Sequence, residues 1–258
     1  MASLPRFYCP TTLLPHSELN LPASTARHVQ VLRLQPGDII TLFQGDGGEF
    51  KATVLQMGRS DVRVLLGEQS PVERELGVRV HVWAGLTANE RMDWLIEKLT
   101  ELGAVSLLPI MAERSVLKLK GDRADKKLAH WQAIAVAASE QCGRNRVLQV
   151  MTPLSLAQAI QSHPSQQGSA QRWVLSLSEG AIPLAQAIQN LKEPNKGVLP
   201  ELYLVSGPEG GLSPAEEALA LAAGFVPVSL GPRTLRAETA PIAVVSALGL
   251  VQGQSTQT

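Results

Sequence analysis

Leu202-Tyr203-Leu204-Val205-Ser206-Gly207-Pro208-Glu209-Gly210-Gly211-Leu212-Ser213-Pro214-Ala215-Glu216 joins an apolar run, a glycine-rich turn and a helix start. Residues 202–205 read as a strand. Ser213 stands at an N-cap position, Pro214 at the first helical position and Glu216 where a capping-box carboxylate belongs. In open α/β sheets, ligands bind beyond the carboxyl ends of strands. Glycines at such a place let backbone groups approach a ligand closely. A turn that only needs positive φ would use the same residues.

Working outward, strand-like and helix-like segments alternate from residue 78 onward. Residues 78–84, 105–110, 147–150, 173–177, 202–205 and 225–230 read as strands. Thr87 precedes Glu90 by three positions, the spacing of a capping box. The helix that follows carries Met92, Leu95, Ile96, Leu99 and Leu102 on one face and stops at Gly103. A second helix opens at Asp122 and closes at Gly143, with Leu128, Trp131, Ile134, Ala135, Ala138 and Cys142 sharing a face. Thr152-Pro153 starts a small helix, Gly224 ends the one begun at Pro214, and the last helix covers roughly residues 238–252. Such alternation predicts an α/β domain with a mostly parallel sheet and helices on both faces.

Before residue 70 the character differs. Short β-like runs at 39–43, 50–57 and 62–66 are separated by Gly45-Asp46-Gly47-Gly48 and Gly58-Arg59-Ser60-Asp61, which are hairpin signals. One short helix, around residues 24–32, precedes them. A small β-barrel or sandwich is expected over residues 1–72, then a polar linker across 67–77, a larger domain over 77–252 and a polar tail at 253–258.

The formal net charge is zero, so bulk charge gives no pointer to nucleic acid. Locally it is different. Residues 113–146 hold eight basic residues (Arg114, Lys118, Lys120, Arg123, Lys126, Lys127, Arg144, Arg146) against four acidic ones, a surplus that would suit a phosphate backbone. A solvated helix face would carry the same charges. No run of about 18 apolar residues suggests a membrane span, and no basic-then-apolar leader opens the chain. Cys9 and Cys142 are the two cysteines, which argues against a disulfide framework or a zinc site, and the expected location is the cytoplasm. His16, His28, His81, His130 and His163 are scattered. There is no P-loop, no early G-x-G-x-x-G, no G-x-S-x-G elbow and no H-E-x-x-H pair, which removes the commonest nucleotide and hydrolase chemistries.

A second loop, Leu230-Gly231-Pro232-Arg233-Thr234-Leu235-Arg236-Ala237-Glu238-Thr239, sets two arginines and a glutamate between an apolar strand and an apolar helix. Charges in such a place need partners. An Arg–Glu pair capping the final helix would supply them, as would a site for an anionic or polar ligand. Together with residues 207–213, this loop resembles the two C-terminal signatures of the ribosomal RNA small subunit methyltransferase E family. The stretch from Arg91-Met92-Asp93-Trp94 to Gly103, the turn Glu113-Arg114-Ser115, Trp131, Glu140-Gln141-Cys142-Gly143-Arg144, Pro5-Arg6-Phe7-Tyr8, and His28-Val29 with Val31-Leu32-Arg33 are similar too. Ala237 departs from the family, which usually has Thr there, so any contact made by that hydroxyl is missing.

The resemblance implies a small PUA-like barrel and a SPOUT domain with a C-terminal trefoil knot. It also implies homodimerisation and methylation of N3 of one uridine of 16S rRNA in the assembled small ribosomal subunit. S-adenosylmethionine (SAM) would be the cofactor, with no metal and no membrane partner. By resemblance, the SAM site is formed by Leu175, Ser176 and Leu177; by Ser206, Gly207, Pro208, Glu209, Gly210 and Gly211; and by Leu230, Gly231, Arg233, Leu235 and Arg236. Arg236 is the candidate to stabilise the uracil anion and Glu238 the candidate proton acceptor, unless Glu238 only orients Arg236. Arg6, Arg27, Arg33, Arg114, Arg144 and Arg146 are the candidate RNA contacts. Three alternatives stay open: a SPOUT enzyme acting on a ribose 2′-hydroxyl or a tRNA base, an RNA-binding assembly factor without catalysis, and a phosphate-binding enzyme. The last would lack the lysine such loops usually add.

Overall fold

The computed structural model describes residues 4–59, 61–117, 119, 121–163, 170–191 and 199–252, and the chain divides into two compact units. The first comprises residues 1–75 and 136–147, the second residues 76–135 and 148–258. Lys118, Lys120 and the tail 253–258 lie outside the described residues.

The first unit is built from β1 (Arg6–Tyr8), β2 (Glu18–Asn20), α1 (Ala23–Val31), β3 (Ile39–Phe43), β4 (Glu49–Met57) and β5 (Val62–Ser70). They form one sheet in the order β1-β3-β4-β5-β2. Alternation along β4 and β5 turns Phe50, Ala52, Val54, Val62, Val64 and Leu66 into a common core with Val29 of α1. Part of the stretch read as linker is strand. β5 runs on to Ser70 because Glu49, at the start of the nine-residue β4, pairs with it. β1 and β2 were not legible as strands, since three residues are too few to show a period.

The second unit holds β6 (Arg79–Gly85), α2 (Asn89–Glu101), β7 (Ser106–Ile110), most of α3 (Asp122–Cys142), β8 (Gln149–Val150), α4 (Leu156–Ser162), β9 (Ala170–Leu175), β10 (Ile182–Pro183), α5 (Leu184–Gln189), β11 (Glu201–Ser206), α6 (Pro214–Ala222), β12 (Val226–Ser229) and α7 (Thr239–Gln252). Its seven strands lie in the order β10-β12-β9-β11-β6-β7-β8, and every pairing is parallel. Trp83, Val174 and Val205 pack with Leu156 and Ala159 of α4 and Ala220 of α6. α7 packs against β6, β11 and α2. The expected α/β domain is therefore present.

Several local readings are corrected. Ser155, not Thr152, caps α4, through a box with Gln158. Thr87 and Glu90 form no capping box. Ala88 is the N-cap of α2 and has no side-chain cap, while the Thr87 hydroxyl is buried without a partner among the described residues. β10 and α5 were missed, each being too short for periodicity to register.

At the amino ends of the central strands, His81 Nδ1 lies 2.8 Å from Ser106 Oγ and Nε2 lies 3.1 Å from Glu201 Oε1. Burial pulls the imidazole below its ordinary value of 6.5, and Glu201 opposes this only in part. The folded chain therefore holds this proton less tightly than the unfolded chain. The stability His81 contributes is whole above pH 6.5 and is lost as the pH falls through the lowered folded value. Urea midpoints taken from about pH 7.5 to 5 should fall with acid, and fall less steeply in His81→Gln.

Candidate active site

Three parallel strands, β9, β11 and β12, end beside one another, and the loops that leave their carboxyl ends surround a cavity of about 620 Å³. That volume lies in the range of about 300–1,000 Å³ usual for cofactor sites. Leu175, Ser176 and Leu177 leave β9, and Ser206, Gly207, Pro208, Glu209, Gly210 and Gly211 leave β11. Leu230, Arg233, Leu235 and Arg236 follow β12, and all of these residues line the cavity. Of the positions expected at a cofactor, Gly231 alone is not in the wall; its φ of +97° turns the chain there.

The walls are fixed by steric and polar contacts. Gly85 ends β6 against the loop that leaves β11, and a Cβ at that position would sit 2.2 Å from Pro208 N. Pro208 accepts from Gly211 N at 2.8 Å, and a Cβ on Gly207 would meet Leu212 N at 2.8 Å. Arg114 Nη1 donates to Gly210 O at 3.0 Å and to Leu212 O at 3.3 Å. Glu209 Oε1 accepts from Ala88 N at 3.3 Å and from Arg91 Nη1 at 3.1 Å, so the loop carboxylate serves the uncapped end of α2. Ser176 Oγ donates to Glu217, which ties the loop that leaves β9 to the first turn of α6.

Arg233 and Arg236 are exposed at the cavity, and neither has an ion pair among the described residues. Glu238 is different. It is 6% exposed, does not line the cavity, and its Oε1 lies 3.8 Å from Arg91 Nε, while its Oε2 has no hydrogen-bond partner among the described residues. A proton acceptor needs to reach its proton directly or through one water. The side chain faces Arg91 instead, and Arg236 is not its ion-pair partner.

The expected RNA contacts separate into two groups. Arg27 and Arg33 are exposed, and Arg146 is half-exposed and pairs with Glu73 at 3.3 Å. Arg6 and Arg144 are corrected, because both serve the interior of the first unit. Arg6 bonds Glu49 and Asn145 Oδ1, each at 2.6 Å, and stacks over Phe43. Arg144 is 3% exposed and pairs with Glu75. Arg6 Nε has no hydrogen-bond partner among the described residues but is buried, so it is not offered to a phosphate at the surface. Arg114, also nominated for RNA, is exposed in the wall of the cavity and uses Nη1 on the Gly210 and Leu212 carbonyls.

Arg91, Arg114, Leu212, Glu217, Val228, Thr234, Ala237 and Ala240 complete the wall, none of them among the positions expected at the cofactor. Arg91 was findable. It follows the carboxyl end of β6, where the strand-end rule applies as it does to β11. No group of three His, Cys, Asp or Glu side chains suited to a metal occurs among the described residues, and no helix among them is long and apolar enough to cross a membrane.

A parallel sheet with its cleft at the carboxyl ends, in a chain that also carries a small β unit, has the organisation of an RNA methyltransferase. Residues 74–249 match the family model of the RNA methyltransferase domain and residues 21–66 that of the RNA methyltransferase PUA domain. The ribosomal RNA small subunit methyltransferase E of Bacillus subtilis is 36% identical over 220 residues, covering 85% of this chain and 84% of the relative. The crystal structure of a ribosomal RNA small subunit methyltransferase E from Neisseria gonorrhoeae, bound to S-adenosyl methionine, is 30% identical with a TM-score of 0.85, over 96% of this chain and 98% of that one. A Legionella pneumophila protein solved with SAM bound is 31% identical with a TM-score of 0.84, over 98% of both chains. The chain belongs to the ribosomal RNA small subunit methyltransferase E family.

The close approach at Gly85 gives a direct test. Gly85→Ala should lose about 1–3 kcal/mol in urea unfolding, since backbone atoms on both sides must shift.

Proposed function

We propose that the protein transfers a methyl group from SAM to N3 of one uridine of 16S rRNA within the small ribosomal subunit. The observation that carries the reading is the cavity itself. It combines loops at three strand ends, one of them glycine-walled, with two arginines that have no ion pair among the described residues on the loop that leads into α7. The fold and its SAM-bound relatives support the choice of cofactor. Here SAM would supply an electrophilic sulfonium methyl group.

The cavity fits such a group. Leu175, Leu177, Leu230 and Leu235 offer apolar surface to an adenine, and the glycines of residues 207–211 leave backbone groups within reach of polar edges. Fixing the donor in this cup makes the transfer effectively unimolecular once the base is in place. Uracil N3 lies on the pairing edge, so the base must be unpaired or flipped out of its stack. At neutral pH it also carries a proton. A guanidinium at O2 or O4 stabilises the anion left when that proton departs to water, and we assign this role to Arg236. Arg233, exposed beside it, suits a neighbouring phosphate. Arg27 and Arg33 of the small unit suit the backbone of a longer RNA segment. A homodimer, a knotted C-terminus and a cytoplasmic location belong to the same reading.

Nucleoside mass spectrometry of 16S rRNA tests the proposal, using small subunits that lack the modification, purified protein and SAM. A single new N3-methyluridine supports it. A 2′-O-methyl nucleoside, or methylation of tRNA alone, would move the target, and absence of SAM binding would leave an RNA-binding protein. Arg236→Ala should fold, bind SAM and lose about a hundredfold in kcat. Reversing Arg27 and Arg33 to Glu should weaken RNA binding and flatten its dependence on salt, read by filter binding at several salt concentrations.

A further inference from the structure

We propose that Arg91 is the positioning residue that joins the two main loops of the site, so that residues 207–211 and residues 230–238 are held as one body. Its Nη1 donates to Glu209 on the first loop at 3.1 Å, and its Nε lies 3.8 Å from Glu238, where the second loop enters α7. No other element supplies a cation within 4.0 Å of Glu238 among the described residues.

The arrangement is asymmetric, and the asymmetry gives it a function. Glu238 is 6% exposed, so its carboxylate has little water to fall back on, and separating it from its one cation is unfavourable. Glu209 is partly exposed and is held a second time, by Ala88 N at the start of α2. Arg91 stands on the first turn of that helix, whose Met92, Leu95 and Ile96 are fully buried, so its backbone is fixed by the core. A guanidinium meets both carboxylates because its Nε and Nη donors lie in one rigid plane. Movement of either loop therefore pulls on the same anchored side chain. Arg91 also lines the cavity, so a ligand meets an arginine whose charge is already balanced, unlike Arg233 and Arg236.

The effect on cofactor binding rests on the SAM reading above; the coupling of the loops does not. Hydrogen–deuterium exchange of the full chain reads the coupling without ligand. Arg91→Met should speed amide exchange about tenfold in peptides covering both 206–213 and 234–240, with β4 and β5 unchanged. Glu209→Gln should loosen the first segment alone, and Arg91→Lys, which keeps the charge but not the planar fork, should fall between wild type and Arg91→Met. Loosening of one segment only in Arg91→Met, or of neither, overturns the proposal. If that variant fails to fold, Arg91→Met/Glu238→Gln removes the stranded charge and is judged by the same two outcomes. Calorimetric titration with SAM should then show a Kd about tenfold higher in Arg91→Met, with Arg91→Lys between that value and wild type. An unchanged Kd despite loosened loops would restrict the coupling to the free protein and overturn its role in binding. Wild-type protein that binds no SAM would instead overturn the methyl-donor reading, while the exchange rates still decide the coupling.

Discussion

The site depends on how closely two pieces of backbone approach at the end of β6. Gly85 meets Pro208 with no room for even one extra carbon, and this contact presses the glycine loop against the sheet. Around it, polar groups act as stitches. Arg114 holds the loop by two carbonyls, Glu209 returns to the first turn of α2, and Glu216 accepts from Glu113 N at 3.0 Å while also closing the cap of α6. The cavity's walls are therefore held by a close main-chain approach and by side chains bonded to main-chain groups. That suits a reaction in which the protein's chief task is to hold two partners in line.

A second set of buried charges serves the small unit. Arg6 lies among Glu49, Asn145 and the Phe43 ring, Arg144 pairs with Glu75, and Glu140 accepts from Tyr8 N at 2.8 Å. Burial of Glu140 raises its carboxyl above the usual range. Groups like these cost free energy to bury and repay it only in one geometry. They attach residues 136–147 to β1 and to the segment after β5, which explains why arginines that look basic in sequence are not available at the surface.

Most of the larger unit was legible because its signals are strong and local. Residues 202–216 carried strand, loop and capped helix in order, and the apolar stripe of α2 had helical period. The wall of the cavity was legible for the same reason, since loops at the ends of parallel strands follow from the strands themselves. What escaped notice depended on tertiary partners. Thr87 and Glu90 have the spacing of a box, yet Glu209, distant in sequence, serves that helix end. Arg6 and Arg144 are arginines like Arg27 and Arg33 until their neighbours are known. Glu238 sits beside Arg236 in the chain but faces Arg91. Adjacency in sequence is a poor guide to ion pairing, because a side chain's direction is set by the element it ends.

The small unit is discontinuous: it takes up residues 136–147, so α3 begins in one unit and ends in the other. During synthesis from the amino terminus, the β-strands of residues 1–75 emerge well before Asn145 and Arg144, which complete their buried polar contacts. For that interval Arg6 has Glu49 but lacks Asn145, and Glu75 lacks Arg144. The amino-terminal fragment alone is thus an unfinished domain, and cutting the gene at residue 75 would separate charges that only the intact chain can neutralise.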